Sequence, residues 1–292
     1  MPSVAIAGAT GYLGSHLARA FVAEGFEVAV LKRTRSSLAR LEPILDQLSL
    51  HDVDGDGGEE AIVRLRPDLL VHAATCYGRK GESLPEIAEA NLGFPSRLLG
   101  AALAARSRAF VNVDTILPPE VNEYARTKHE FRRHAEERLR GSGTALVNVR
   151  MAMMYGPWDD ATKVTTSVIR SCAANVARFP LTHGEQRRDF VYIDDVAAAF
   201  MAMARWTIEA PPARADFDLG TGTPTTLRSF AEMAHRLTGS TTHLDFGALP
   251  YRAGDPMESP PLDVSRLAGL GWKARHDVAS GIAATIAAEG LR

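Results

Sequence analysis

The sequence predicts an α/β fold in which helices cover both faces of a doubly wound parallel sheet. Three observations predict it. Short apolar runs alternate with helical patterns through the first half of the chain, a glycine-rich turn follows the first run, and this regularity falls away after residues 155–157. Parallel strands need crossover connections, which bring the carboxyl ends of the strands to one edge. We expect ligands at that edge, beneath a smaller C-terminal α/β lobe.

The first elements follow from local pattern. Residues 4–8, VAIAG, predict a buried strand. Residues 12–25 predict a helix that ends at Gly25, because glycine readily adopts the conformation that terminates a helix. EVAVLKR at 27–33 predicts a second strand, and a helix is expected around 36–47.

The alternation continues to the middle of the chain. A short strand is predicted at 48–53 and a helix at 58–66, before the strand LLVHAAT at 69–75. A long helix is expected at 84–105, and the apolar run AFVNVDT at 109–115 predicts a fifth strand.

The remaining elements are less regular. Residues 123–140 predict a helix that Gly141 stops, and 145–154 form a sixth apolar run. Beyond Tyr155-Gly156-Pro157, loops rich in glycine and proline separate four expected helices, at residues 162–175, 194–206, 227–238 and 276–289.

Composition excludes several classes of function. The chain has 292 residues, of which 46% are apolar and 23% charged, as in ordinary globular proteins. Its net charge of −2 gives no reason to expect nucleic acid or an anionic membrane as partner. No stretch approaches the ~20 apolar residues of a membrane span, and the N-terminus does not resemble a signal peptide. We therefore expect a cytoplasmic protein.

Cysteine and histidine usage gives no sign of a structural metal. Cys76 and Cys172 are far apart in sequence, and the nine histidines show no spacing typical of metal ligands. We predict that the protein holds no metal ion.

The turn GATGYLG at residues 8–14 predicts a dinucleotide site. Gly8 permits the tight turn, Gly11 lets backbone N–H groups approach a pyrophosphate, and Gly14 allows close helix–strand packing. Three glycines in a turn can also serve packing alone, but the strand before and the helix after favour the cofactor. Thr10, Tyr12 and Leu13 complete this predicted cofactor-binding turn.

The domain organisation follows from this turn. Residues 1–155 are expected to form a Rossmann-type dinucleotide-binding domain, with segments near 187–220 returning to it. Residues 156–292 should form mainly the substrate lobe.

The end of the second strand favours NADP(H) over NAD. A carboxylate there would bind the ribose 2′-OH of NAD, but the chain carries Lys32 and Arg33, followed by Ser36 and further hydroxyls. Cations and hydroxyls suit a 2′-phosphate. The alternative is a solvated basic loop. Asp52 is placed to accept from the adenine amino group, although a surface aspartate remains the alternative.

Tyr124 and Lys128 are predicted to form a catalytic pair. Residues four apart share a helix face, so the ammonium can lie beside the phenol, where it is expected to lower the phenol's pKa. Such a phenol can exchange a proton with an alcohol or ketone. Thr115, at the end of the fifth strand, would bind the same oxygen. A surface Tyr–Lys pair is the alternative.

Together these motifs resemble the extended short-chain dehydrogenases/reductases that act on nucleotide-diphosphate sugars. The resemblance covers nearly the whole chain and includes GATGYLG, VHAAT, YARTK, VRMAMMYGP, RRDFVYIDDV, FDLGTGTPTTLRSFAE and RAGDP. The segments ATCYGRKGES and NVDTILPPEVNEY are most similar to CDP-abequose synthase-like sugar 4-ketoreductases.

The resemblance implies further site residues. It implies the catalytic set Thr115, Tyr124 and Lys128. It implies that the cofactor site also contains Val53, Ala73, Ala74, Thr75 and Lys128. The substrate residues that it implies are Tyr77, Arg79, Asn91, Met153, Arg188 and Arg252. For the last two, diphosphate binding competes with ion pairing to Asp189 or Asp255.

Two departures from the family concern the sugar site. Many relatives have an asparagine where this chain has Met153. The connection from Thr115 to Tyr124 is short, and Pro118-Pro119 stiffens it. A shorter rim should leave the sugar site more open.

The sequence favours reduction among the reactions of this group. Sugar 4,6-dehydratases use an acidic pair after the threonine, where this chain has Ile116-Leu117, which cannot transfer protons. The expected activity is therefore NADPH-dependent reduction of the 4-keto group of a nucleotide-linked deoxysugar. A 4-epimerase with tightly bound NAD and a non-catalytic dinucleotide-binding protein are the alternatives.

A homodimer is also expected. Relatives dimerise through the helices corresponding to 84–105 and 123–140, and we expect these helices to carry apolar residues beyond one face. Burial of these residues within the monomer is the alternative.

Overall fold

The computed structural model describes residues 1–55, 57–210, 212–252 and 254–291. The described residues form thirteen strands: β1 (Ser3–Ala7), β2 (Glu27–Lys32), β3 (Leu48–Asp52), β4 (Leu69–His72), β5 (Ala109–Thr115), β6 (Ala145–Met151), β7 (Met153–Tyr155), β8 (Arg178–Leu181), β9 (Arg187–Arg188), β10 (Phe190–Tyr192), β11 (Arg214–Leu219), β12 (Thr225–Thr226) and β13 (His243–Phe246).

Ten α-helices connect and cover these strands. They are α1 (Tyr12–Ala23), α2 (Gly57–Leu65), α3 (Leu84–Ala88), α4 (Phe94–Ala105), α5 (Glu123–Leu139), α6 (Val164–Ala173), α7 (Ile193–Glu209), α8 (Leu227–Leu237), α9 (Ser265–Gly269) and α10 (Val278–Glu289). A 3₁₀ turn precedes β3, and a π-helical segment joins α3 to α4.

Seven strands form one parallel sheet in the order β11-β6-β5-β4-β1-β2-β3. The chain runs from β1 to β3 in one direction and then crosses back to β4 on the other side of β1. This reversal leaves a crevice at the carboxyl ends of β1 and β4, where doubly wound sheets bind ligands. The predicted α/β fold class is confirmed.

Two apolar layers hold the sheet. One face packs against α2, α4 and α5, through residues such as Leu98, Phe110 and Phe131. The other face packs against α1 and α7, and the same buried cluster continues without a break into the lobe, where it includes Phe190 and Phe230. The lobe is therefore joined to the sheet by continuous packing.

Three predicted elements differ in their bounds. The helix expected over 36–47 is a 3₁₀ turn of six residues, Glu42–Gln47, because Pro43 lacks an N–H and restricts the residue before it. The long helix expected over 84–105 is interrupted by the π-helical segment Glu89–Gly93. The run 145–154 is divided at Ala152, where β7 leaves the main sheet to pair with β10.

The expectation of apolar residues beyond one face is wrong for α5. Its outward residues Arg126, Arg133, Glu137 and Arg138 are exposed and charged, while its apolar side chains are buried within the chain. The apolar residues of α4 are likewise largely buried in the monomer.

In the part of the chain that the structure describes, no helix has both the length and the apolar character needed to cross a membrane.

Candidate active site

The turn after β1 brings backbone into contact with backbone. Gly8 has a φ of +87°, and a Cβ there would lie 2.5 Å from the amide nitrogen of Ala74. A Cβ on Gly14 would lie 2.1 Å from the carbonyl oxygen of Gly8. Real side chains do not tolerate such distances. The two glycines thus form a cradle that any side chain would fill.

Helix α1 begins at this cradle with its first N–H groups free of side-chain caps. Gly11 is the N-cap residue of α1, and no side chain of the described residues caps the N–H groups of the first turn. That turn also contains no acidic residue. Uncapped N–H groups and the positive end of the helix dipole favour an anion. The turn, including Thr10 and Leu13, therefore fits a dinucleotide pyrophosphate.

Tyr12, also predicted in the cofactor turn, directs its hydroxyl away from solvent. A Cβ on Gly156 would lie 2.7 Å from this hydroxyl, which is buried and has no hydrogen-bond partner in the described ranges. Burial raises the pKa of the phenol far above its ordinary value. Tyr12 thus stays neutral and packs the turn against the loop after β7.

Ala73, Ala74 and Thr75 follow β4 at the opposite wall of the crevice. The Ala73 N–H donates to the Ala7 carbonyl at 2.9 Å, which holds this segment beside the glycine turn. The predicted cofactor residues after β4 therefore lie beside those of the glycine turn after β1.

Asn91, which the resemblance implies as a substrate residue, lies inside the chain. Its side chain is fully buried in the π-helical segment. Its Oδ1 accepts from the Cys76 N–H at 2.8 Å and the Thr75 hydroxyl at 3.1 Å. Its Nδ2 donates to the Cys76 carbonyl at 2.8 Å and to Thr127 at 3.1 Å. With its polar atoms used inside the chain, Asn91 holds the 75–76 segment in place, and its predicted role in substrate binding stays a prediction.

The basic group after β2 is only partly available. The register places Lys32 opposite Asp52, and the two side chains form an ion pair. This pair reduces the charge that Lys32 offers to a 2′-phosphate, and the predicted contacts of Lys32 with that phosphate and of Asp52 with the adenine stay predictions. Arg33 is exposed, and its carbonyl accepts from the Ser36 N–H at 2.9 Å. Val53 extends the neighbouring strand, with its N–H donating to the Lys32 carbonyl at 2.8 Å.

A carboxylate that the sequence reasoning missed lies beside this basic loop. Asp54 accepts from the Thr34 N–H at 2.8 Å, and the Thr34 side chain together with this N–H lowers the pKa of the exposed carboxyl group. The loop therefore presents Arg33 next to an ionised aspartate.

Thr115 and Tyr124 lie together at the end of β5. Thr115 is the last residue of the strand and is buried. Its hydroxyl lies close enough to the Tyr124 phenol to favour the ionised form of that phenol. Tyr124 stands in the first turn of α5, whose N-cap is Asn122.

Lys128 lies one turn further along α5 and is 2% exposed. Burial lowers the pKa of its ammonium to about 8, and the Asp114 carboxylate opposes that shift. The ammonium forms no hydrogen bond or ion pair with any residue that the structure describes, so its donors are available to a ligand.

The expected lowering of the Tyr124 pKa is wrong. Burial raises the pKa of the phenol well above its ordinary value, and the Tyr77 phenol adds to this rise, whereas Thr115 and Arg79 act in the other direction. Desolvation outweighs the attraction of nearby cations. Tyr124 is therefore protonated at neutral pH and is poised to donate.

Two predicted substrate residues adjoin the phenol. The rings of Tyr77 and Tyr124 are 4.8 Å apart, and the Arg79 guanidinium lies 5.2 Å above the Tyr77 ring. Tyr77 is 38% exposed. An aromatic surface with a cation behind it therefore forms one rim of the site.

The other predicted substrate residues follow β6 in the chain. Arg188 is buried and forms a 2.8 Å ion pair with Asp255, so the structural alternative to diphosphate binding is realised. Arg252 is exposed, in the turn that leads to Asp255. Met153 opens β7 and is 36% exposed.

The sequence reasoning also missed a buried polar network beneath Thr115. Asn112 donates to Asn148 at 2.7 Å, and Asn148 donates to Asp114 at 3.1 Å. The signal was present as the repeated triplet VNV in the fifth and sixth apolar runs, because β5 and β6 pair with Asn112 opposite Asn148.

Within the described ranges, no group of three or more His, Cys, Asp or Glu side chains is arranged to hold a metal ion.

Comparisons with known proteins agree with this geometry. The chain is 27% identical to the CDP-abequose synthase of Salmonella muenchen over 288 residues, which are 96% of this chain and 95% of that protein. It is 26% identical to the dTDP-6-deoxy-L-talose 4-dehydrogenase (NAD(P)(+)) of Kitasatospora kifunensis, over 94% of this chain and 91% of that protein.

Among solved structures, the UDP-glucose 4-epimerase of Thermotoga maritima with UDP-glucose is similar, with a TM-score of 0.83 and 21% identity. The match covers 98% of this chain and 97% of the other. A sequence model of the NAD dependent epimerase/dehydratase family matches residues 4–220. That match spans the glycine cradle, the seven-stranded sheet and all three predicted catalytic residues. The predicted resemblance to extended short-chain dehydrogenases/reductases is thus confirmed, and the chain belongs to the NAD dependent epimerase/dehydratase family.

Proposed function

We propose that this protein reduces the 4-keto group of a nucleotide-diphosphate deoxysugar with NADPH. The observation that carries the proposal is the placement of the Thr115 hydroxyl beside a protonated Tyr124, with Lys128 buried one helical turn away. The residues after Thr115 are Ile116 and Leu117. These side chains offer no second acid/base pair, so the site supports proton donation to one oxygen.

Each of the three residues has a separate task in this proposal. Tyr124 donates its proton to the ketone oxygen, which becomes the new hydroxyl group. Thr115 donates a hydrogen bond to the same oxygen and stabilises the negative charge that develops there. Lys128 donates to the nicotinamide ribose and fixes the cofactor beside the sugar. The nicotinamide supplies the hydride that the carbonyl carbon receives.

The proposal extends to cofactor preference, oligomeric state and the sugar site. Arg33 and the hydroxyls of the following loop would hold the 2′-phosphate of NADPH. Tyr77 and Arg79 would line the sugar side, and Arg252 is the exposed lobe arginine available to a diphosphate. A homodimer is proposed from the resemblance to the family.

Reduction can be measured directly with the purified protein. NADPH and a CDP-linked 4-keto-6-deoxyhexose should lose absorbance at the nicotinamide band, and a dTDP-linked sugar forms the comparison arm. Tyr124→Phe should lower kcat by about 10²- to 10⁴-fold, because the proton donor is removed. NADPH should still bind, as read by its fluorescence. A Tyr124→Phe enzyme with wild-type kcat contradicts the proposed role.

A nucleotide-sugar 4-epimerase is the second candidate. The Lys32–Asp52 pair reduces the positive charge available to a 2′-phosphate. A weaker site for this phosphate favours NAD, the cofactor of an epimerase, over NADPH. An epimerase keeps its oxidised cofactor from cycle to cycle. If the purified protein carries tightly bound NAD and interconverts two epimers without added cofactor, it is an epimerase and the reductase proposal is wrong.

A further inference from the structure

The turn after Thr115 is held on both sides of Leu117. The Leu117 N–H donates to the Thr115 hydroxyl oxygen at 3.2 Å. The Leu117 carbonyl oxygen lies 2.9 Å from Nε2 of His129, which follows Lys128 on α5. A side chain of α5 therefore holds the carbonyl of the same residue whose N–H contacts the catalytic hydroxyl.

The partners of His129 determine which ring nitrogen carries the proton. A carbonyl oxygen can only accept, so Nε2 is the donor. The other nitrogen, Nδ1, lies 3.0 Å from a guanidinium nitrogen of Arg132. Arginine can only donate, so Nδ1 accepts. His129 is thus assigned as the neutral tautomer protonated on Nε2.

Arg132 is anchored in turn by Asp114. Its guanidinium lies 3.2 Å from Oδ2 of Asp114, a carboxylate that is 1% exposed. Asn148 donates to the same oxygen. The other oxygen, Oδ1, accepts from the Thr115 N–H at 2.8 Å. The hydrogen bonds therefore form a closed ring that begins and ends at Thr115.

Two features explain why a side chain, and not the backbone, holds the turn after Thr115. The connection from Thr115 to Tyr124 is short, and it contains Pro118 and Pro119. Proline has no N–H, so two consecutive positions cannot brace the turn through backbone donors. The His129 imidazole supplies the missing donor from the neighbouring helix.

We propose that His129, supported by Arg132 and Asp114, is a positioning residue for the hydroxyl of Thr115. Because the Thr115 oxygen accepts from Leu117, its hydroxyl proton is directed to another acceptor. In the reaction this acceptor is the ketone oxygen of the sugar. This inference rests on the proposed function for the identity of that acceptor, but the ring itself is a property of the chain.

The position of His129 makes it suitable for substitution. His129 and Arg132 are half-buried and line a surface cavity of about 290 Å³ on α5. Removing the imidazole there leaves both apolar layers intact. His134, half-buried five residues further along the same helix, provides a matched control outside the ring.

The kinetic test compares His129→Leu, His129→Gln and His134→Leu. Misplacement of a catalytic group by ~1 Å costs up to ~10²-fold in rate, so His129→Leu should lower kcat by about 10- to 100-fold with little change in NADPH affinity. His129→Gln should recover most of the rate, since its amide can donate to Leu117 and accept from Arg132. The positioning role is refuted if His129→Leu behaves like His134→Leu, or if glutamine and leucine are equally poor.

A spectroscopic test works even without turnover. Ring ¹⁵N shifts of His129 at neutral pH should show a neutral imidazole protonated on Nε2, and Arg132→Met should alter the Nδ1 shift. Amide exchange at Leu117 should quicken in His129→Leu but not in His134→Leu. A proton on Nδ1, or unchanged exchange, refutes the ring. Failure of every nucleotide sugar to react would refute only the proposed reaction.

Discussion

At the scale of single residues, cofactor choice depends on how Lys32, Arg33 and Asp52 share their charges. Asp52 neutralises Lys32 across the β2–β3 pair, and Asp54 caps the loop at Thr34. Arg33, directly after β2, is exposed and forms no ion pair with the described residues, and we expect it to bind the 2′-phosphate.

Arg33→Asp should reverse the preference for NADPH over NADH. A charge-assisted hydrogen bond contributes about 1.5–3 kcal/mol, so NADPH affinity should fall by about 10- to 100-fold while NADH affinity is kept or improved. Fluorescence titration with both cofactors measures the ratio. Arg138→Asp, an equal change of charge on the exposed side of α5, should leave the ratio unaltered.

Equal affinity of the unmodified protein for the two cofactors would contradict this prediction. It would also favour the reading in which the basic loop is simply solvated.

Residue-level contacts were the hardest part to predict. The triplet Thr115, Tyr124 and Lys128 could be located from spacing and context, because a strand end and one helical turn fix their relative positions. The Lys32–Asp52 pair could not, since it depends on the register of two strands. The direction of the Tyr124 pKa shift also depends on burial, which spacing alone does not reveal.

At the scale of elements, the glycine cradle joins β1, α1 and the segment after β4. Gly14 is the tightest point of the cradle, because the Gly8 carbonyl oxygen lies 2.1 Å from the position that a Cβ on Gly14 would take. The cradle was predictable from sequence, since only glycine accommodates such an approach of backbone to backbone.

Gly14→Ala should therefore destabilise the fold and weaken dinucleotide binding. The methyl group would meet backbone atoms that cannot move independently, and overpacking of this kind costs about 1–3 kcal/mol or more. Thermal unfolding and NADPH titration measure both effects.

Gly100→Ala is the matched control. It lies within α4, where an added Cβ meets no heavy atom of the described residues within 4 Å. Alanine there should stabilise the helix by up to about 1 kcal/mol. A neutral Gly14→Ala would contradict the close backbone contact at this glycine.

Element boundaries were predicted less well than element types. Pro43 restricts the helix expected over 36–47 to a 3₁₀ helix of six residues, and Ala152 divides one apolar run between two sheets. The short strands of the lobe were not predicted, because two- to four-residue pairs leave almost no periodic pattern.

At the scale of the whole molecule, the burial of Lys128 lowers global stability. Its pKa falls from an ordinary 10.5 to about 8. Between these values the unfolded chain binds a proton that the folded chain does not, so the free energy of unfolding rises with pH across that window. Below pH 8 both states are protonated, and the full cost of burial, about 3 kcal/mol, is present.

Lys128→Met should accordingly raise the melting temperature at pH 7 by several degrees, while abolishing the proposed activity. The gain should shrink between pH 8 and pH 10, because the wild-type lysine loses its charge in the folded state while it stays protonated in the unfolded chain. Melting curves of both proteins at pH 7 and pH 10 test whether the gain in stability falls as the pH rises. Lys273→Met, at an exposed lysine, should change neither curve. A less stable Lys128→Met at pH 7 would contradict the argument.

The placement of β11 has a consequence for biosynthesis. β6 ends at Met151, but the strand that covers its outer edge begins at Arg214. While the ribosome adds residues 152–213, the nascent chain presents an open row of amide and carbonyl groups along β6, a surface prone to wrong pairing. The newly made protein is thus most vulnerable to aggregation in the interval before β11, the last strand of the seven-stranded sheet, emerges from the exit tunnel.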